Sequence, residues 1–345
     1  MFDRVEYFRH SMPTRPRLLA LVTVVCLGAC TGSPAPSSVT PSASPSAPTS
    51  GPSATSASPS SADGQPRTIE LPGDGPLGMD IADGKAYVST HDSSQLVVVD
   101  LATGDAKAQA IGPNVIRVID LGGTLALGRY ASAAGHAAVE LLDLATGATT
   151  QTEATEVDAI NPGDDGRIWA FEKAGSVALL DAGDGGLVGR TPIAAPSDEH
   201  LELIGADGSA FASASSTPTT RIGGDPLTTQ ATIDTGGGFP LAVDGGLVWG
   251  AREAEIWAID PATNDVVKHV PLKDVSEILG MDVEGDDAWI AIRHPGRIGA
   301  VIRIDLATGR QTEDHPASLP AAIEIAGDTV WVTDYERDAL LGFQR

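Results

Sequence analysis

One pentapeptide constrains this chain more than any bulk property. Asp-x-Ala-Thr-Gly, or a close variant, recurs at Asp100-Leu-Ala-Thr-Gly104, Asp143-Leu-Ala-Thr-Gly147, Asp260-Pro-Ala-Thr-Asn264 and Asp305-Leu-Ala-Thr-Gly309. Degenerate copies begin at Asp181 (Asp-Ala-Gly-Asp-Gly) and Asp225 (Asp-Pro-Leu-Thr-Thr), so successive gaps are 43, 38, 44, 35 and 45 residues. Asp accepts hydrogen bonds from backbone N–H groups two residues on, and Gly supplies the positive φ of a tight turn, so each copy reads as a hairpin turn. A period near forty residues is that of a four-stranded blade.

The flanks of each turn repeat as well. About a dozen residues before it stands a short strand with an aromatic or large apolar residue: Tyr87, Trp169, Phe211, Trp249, Trp289 and Trp331. A second apolar strand runs directly into the Asp, as in Leu96-Val-Val-Val99 and Val301-Ile-Arg-Ile304, and Gly/Asp turns such as Asp83-Gly84 and Gly327-Asp328 precede the aromatic strands. With Leu125-Ala-Leu127 counted, seven aromatic-type strands are present. The last repeat stops at Phe343 without a fourth strand, and Arg67-Thr-Ile-Glu-Leu71 stands unpaired at the start. Pairing the two removes open sheet edges, so the predicted fold is all-β: a seven-bladed β-propeller of four-stranded blades, closed by the N-terminal strand on the C-terminal blade. A solenoid would need capping repeats, which are not visible.

The Trp/Tyr-Val strand followed by a strand entering Asp-x-x-Thr-Gly resembles the YVTN-type propeller repeat family, most closely at Tyr87-Val-Ser-Thr90 and Trp331-Val-Thr-Asp334. The resemblance covers residues 67–345 and implies a fold rather than an activity, since related propellers include quinoprotein dehydrogenases, lactonases and lyases. Quinoprotein repeats place a Trp shortly after the Thr-Gly turn; here those positions read Asp105-Ala-Lys, Ala148-Thr-Thr and Arg310-Gln-Thr, which argues against a quinone.

The N-terminus is an address. Arg15 and Arg17 precede an apolar run from Leu18 to Leu27, too short to span a bilayer, that ends in Leu27-Gly28-Ala29-Cys30. This resembles the lipobox of bacterial lipoproteins, with Cys30 as the lipidated residue, so residues 1–29 read as a lipoprotein signal peptide. Residues 30–66 are dominated by Ser, Pro, Ala, Thr and Gly and cannot bury enough apolar surface to fold, so they read as a disordered tether. The expected location is the outer face of the bacterial cytoplasmic membrane, held by acyl chains. The only two cysteines, Cys26 and Cys30, lie in this segment, which rules out disulfides and thiolate metal sites in the propeller. A net charge of -24 disfavours nucleic acid and favours cations or basic partners. A monomer is expected.

In such a ring the loops between the second and third strands of each blade surround one mouth of the central channel. Four residues beyond each aromatic position stand His91, Tyr130, Lys173, Ser215, Glu253, Arg293 and Tyr335, with His294, Asp334 and Arg337 beside them. His91, Tyr130, Lys173, Glu253, Arg293, His294 and Tyr335 are the candidate ligand site. Asp80, Asp282 and Glu324 occupy equivalent positions in the first strands and are candidate channel carboxylates, able to hold a divalent cation such as Ca²⁺. No catalytic motif and no cofactor signature occurs. The chain therefore reads as a membrane-anchored, non-catalytic binding or scaffolding module of the cell envelope, engaging an envelope protein, a glycan or a small molecule. The alternative is a metal-dependent, lactonase- or lyase-like hydrolytic or eliminating enzyme with its site at the channel, using His91 or His294 as acid/base.

Overall fold

The computed structural model describes residues 66–345 apart from 132–134, 164–165, 195–200, 253–254, 274, 276 and 295–297. Cys30, the signal segment, the tether and Glu253 thus lie outside the described residues. The rest forms seven four-stranded antiparallel sheets. Chain order starts with β1 (Arg67–Glu70), followed by blade I: β2 (Pro76–Ala82), β3 (Lys85–Thr90), β4 (Gln95–Asp100) and β5 (Ala106–Ala110). Blade II is β6 (Val115–Asp120), β7 (Thr124–Arg129), β8 (Val139–Asp143) and β9 (Thr149–Gln151); blade III is β10 (Val157–Gly163), β11 (Arg167–Glu172), β12 (Ser176–Asp181) and β13 (Leu187–Pro192). Blade IV is β14 (Leu201–Ala206), β15 (Ser209–Ala214), β16 (Thr217–Gly223) and β17 (Thr228–Ile233); blade V is β18 (Leu241–Asp244), β19 (Leu247–Arg252), β20 (Glu255–Asp260) and β21 (Asp265–Pro271). Blade VI is β22 (Glu277–Glu284), β23 (Asp287–Arg293), β24 (Gly299–Asp305) and β25 (Arg310–Ala317). Blade VII is β26 (Pro320–Ala326), β27 (Thr329–Asp334) and β28 (Ala339–Gln344), completed by β1.

The closure is as predicted: β1 pairs antiparallel with β28, with Arg67 opposite Gly342 and Glu70 opposite Ala339. First strands of successive blades pack side by side, β2 on β6, β10 on β14, β22 on β26 and β26 on β2, so they ring the axis. Both faces of every blade are covered by a neighbour. That is why β4 reads as a continuous apolar run rather than an alternating one. The core is accordingly divided into slabs between consecutive blades. Trp331 and Leu340 of blade VII pack on Val88 and Val97 of blade I, Tyr87 and Leu96 of blade I on Leu125 and Leu127 of blade II, and Trp289 of blade VI on Val330 and Val332 of blade VII. The outermost strands are short of apolar residues and exposed, as in β5 and β9.

The repeated pentapeptides form the turns between third and fourth strands. Asp143 Oδ1 accepts the N–H groups of Ala145 (2.9 Å) and Thr146 (2.8 Å), and Gly147 stands at φ +72°. Asp100 and Asp305 make the same two bonds. The copy assigned to Asp225 is a correction. Gly223 pairs with Thr228, where Asp260 pairs with Asp265 in blade V, so Gly223 holds the Asp position and the turn runs through Gly224 (φ +87°) and a cis Asp225–Pro226 bond.

Candidate functional site

The loops chosen from sequence do lie at one end of the ring. Backbone bonds tie four of them to the loop entering the first strand of the blade: His91 N–H to Gly75 O (2.8 Å), Tyr130 N–H to Asn114 O (3.2 Å), Lys173 N–H to Glu156 O (2.8 Å) and Tyr335 N–H to Leu319 O (2.9 Å). Four of the predicted residues join into one array across blades VII, I, II and III. The Tyr335 hydroxyl donates to Asp92 Oδ1 (3.1 Å), and His91 Nδ1 lies 3.2 Å from the same oxygen. The His91 ring is tilted against that of Tyr130 at 6.0 Å, and Lys173 Nζ stands 5.1 Å from the centre of the Tyr130 ring on its way to Asp158 (3.6 Å). Arg293 belongs to a separate pair, 3.9 Å from Glu277 within blade VI, and His294 follows it at the end of β23. Asp334 is fully buried and accepts the N–H groups of Ser318 (2.8 Å) and Leu319 (3.1 Å), so it shapes a loop rather than facing a ligand.

His91 is the most constrained member of the array. Its side chain is 4% exposed. Nδ1 faces Asp92, while Nε2 is buried with no hydrogen-bond partner among the described residues.

The channel carboxylates also occupy equivalent places. Asp80, Asp282 and Glu324 pair across their sheets with Tyr87, Trp289 and Trp331, the aromatic positions of the second strands. Each reaches the next blade: Asp282 Oδ2 accepts from Ile325 N–H (2.7 Å), Glu324 Oε1 from Ile81 N–H (3.0 Å), and Asp80 Oδ2 from Asp120 N–H. Asn161 does the same to Gly205 N–H (2.8 Å). These side chains staple the inner ring. Burial pushes the Asp80 carboxyl up, Asp282 up to about 6 and Glu324 up to about 9, the last aided by the neighbouring charge of Asp80. Glu324 thus keeps its proton at neutral pH.

Both oxygens of Asp80 and of Asp282 and one of Glu324 already accept backbone N–H groups. Among the described residues no group of three or more His, Cys, Asp or Glu is arranged to hold a metal ion.

Sequence reasoning missed the strongest charge pair of the channel. One level from the carboxylates, two residues earlier on each first strand, stand Gly78, Ala159, Pro240, Gly280 and Ala322, together with Arg117 and Glu202. Arg117 Nη2 lies 2.5 Å from Glu202 Oε2, so blades II and IV are bridged past the inner edge of blade III. Around the pair is a cavity of ≈ 290 Å³ lined from the first strands of all seven blades. Its lining mixes apolar residues with convergent polar groups, Asp80, Arg117, Asn161 and Glu202.

With this geometry the chain belongs to the class of seven-bladed β-propellers. No family profile and no curated protein sequence matches it. Solved structures do. Virginiamycin B lyase from Staphylococcus aureus is similar at 16% identity and a TM-score of 0.65, over 81% of this chain and 99% of that one. BamB from Moraxella catarrhalis is similar at 15% identity and a TM-score of 0.56, over 78% and 84%. The computationally designed Ika8 protein is similar at 13% identity and a TM-score of 0.59, over 82% and 100%. At these identities the likeness is one of fold.

Proposed function

We propose that this chain is an extracytoplasmic binding propeller of the YVTN type, lipid-anchored through Cys30 at the outer face of the cytoplasmic membrane. It holds an envelope protein, a glycan or a small molecule at its rim without transforming it. The observation that carries this reading is the array from Tyr335 through Asp92, His91 and Tyr130 to Lys173, a preorganised polar network contributed by four consecutive blades and reached from solvent at Asp92 and Lys173. The Ser/Pro-rich segment of residues 30–66 supplies reach: a flexible coil of this length spans roughly 30–35 Å on average.

Two measurements test it. Cys30→Ala releases the protein from the membrane fraction; retention there counts against the anchor. A photo-crosslinking residue in place of Tyr130, in intact cells, gives a discrete adduct not seen from the exposed outer-strand position Thr150. The same adducts from both positions, or none, remove the rim as the binding surface. His91 favours a second reading, a lyase- or lactonase-like enzyme in which Nε2 is the acid/base. Turnover of a lactone or an elimination substrate that vanishes in His91→Ala, with the unfolding midpoint retained, decides for it.

A further inference from the structure

The Arg117–Glu202 pair does more than brace the ring. A brace between two fully satisfied groups would use several prongs, yet Arg117 engages Glu202 through Nη2 alone, and its Nε–H is buried and bonded to nothing among the described residues. Among the described residues, Glu202 in turn has only a long 3.4 Å contact from Leu203 N–H besides the guanidinium. The two side chains are 22% and 11% exposed, so a solute reaches them, and both line the ≈ 290 Å³ cavity. Apolar residues that border the cavity and are only partly buried are Met79, whose side chain is adaptable, and Ile323.

From this geometry we infer that the channel is a binding site for a free α-amino acid with an apolar side chain, its carboxylate on Arg117 and its ammonium on Glu202. The pair presents a cation and an anion in contact, which is the complement of a group bearing carboxylate and ammonium on one carbon. A guanidinium with unused N–H donors binds carboxylate in the two-pronged geometry it prefers. Net charge points the same way. A simple anion would be repelled by a chain of charge -24, and a simple cation would leave the Arg117 donors unused; a zwitterion meets neither cost. The cavity lies near the lower bound of roughly 300 Å³ for small-molecule sites, which suits one amino acid and not a larger solute.

Calorimetric titration of the full-length chain with L-leucine, L-methionine and L-phenylalanine tests the assignment. Isoamylamine and 4-methylpentanoate, each lacking one head group of leucine, are titrated beside them. One amino acid binds per chain, and removal of either head group weakens binding roughly ten- to a hundred-fold, as expected for a lost charge-assisted hydrogen bond. Arg117→Gln and Glu202→Gln each cause a loss of the same order. The ligand series is read on the unaltered protein, so it stands even where a variant folds poorly. Binding of the truncated ligands as tight as that of leucine, no saturable binding of the three amino acids up to roughly millimolar concentration, or full affinity in a folded Arg117→Gln variant overturns the assignment.

Discussion

Aspartate serves the hub and the periphery of this ring with carboxyl shifts of opposite direction. In the outer turns, Asp100, Asp143 and Asp305 each accept two backbone N–H groups at the solvent-facing periphery, and those bonds, with the Thr308 hydroxyl leading at Asp305, hold their carboxyls below the usual range. In the channel, Asp80 and Asp282 also accept two backbone N–H groups each, yet burial drives them upward. The hydrogen-bond complement is the same; the solvent is not. Counting donors around a carboxylate therefore does not give its charge state unless desolvation is weighed first.

Glycine divides along the same line, and this sets the largest expected effect. A Cβ on Gly78 of β2 would lie 2.5 Å from Ile116 O of the next blade, whereas one on Gly147 meets nothing within 4 Å and suffers only from φ +72°. Gly78→Ala is expected to cost about 3 kcal/mol by forcing blades I and II apart, and Gly147→Ala about 1 kcal/mol. Equal urea midpoints for the two variants would erase the distinction between hub and periphery. Next in size is Asp282→Ala, which strands the inward N–H of Ile325 and is expected to cost about 2 kcal/mol, with Asp282→Asn milder because one acceptor oxygen remains.

The pH profiles sharpen the contrast further. Glu324 holds its proton up to about pH 9 in the folded chain, while the unfolded chain loses it in the ordinary carboxyl range. Between those limits the folded state binds more protons, so stability falls as pH rises through the window. Glu324→Gln, which keeps the acceptor for Ile81 and cannot ionise, should flatten that decline by more than about 1 kcal/mol between about pH 6 and pH 9. Parallel unfolding curves for variant and parent across that range would show the proton is not held. The outer turns slope the other way. With its carboxyl depressed on folding, Asp305 contributes stability that is complete above the ordinary carboxyl range and lost as pH falls through its folded value. Asp305→Asn should remove only that acid limb, the smallest effect of the series, seen as a midpoint less sensitive to acid.

What could be read from the sequence follows from how local each interaction is. The four clear pentapeptides are turns because their hydrogen bonds close within five residues, so no tertiary information was needed. The copy at Asp225 misled because the strand ends two residues earlier, with the Asp place taken by Gly223, which offers no side chain to mark the turn. Blade II lacks the aromatic landmark; Ala126 stands opposite Ile119 where the other second strands put an aromatic residue, and only spacing revealed it. The rim residues followed from the repeat, but their linkage through Asp92 did not, since Tyr335 and Asp92 meet only when the circle closes, 243 residues apart. Arg117 and Glu202, 85 residues apart, were invisible for the same reason. The available signal was subtle: charged side chains at a position that is Gly, Ala or Pro in the other five first strands.

The join between β1 and β28 also sets an order of events. Among the described residues the first strand in the chain pairs only with the last, so Arg67–Glu70 stays unpaired until Ala339–Gln344 has emerged. A nascent or C-terminally shortened chain is an open fan with two bare β-edges and no means of hiding them. The ring thus reports on its own completeness: a polypeptide interrupted before Ala339 forfeits every pairing that closes the circle.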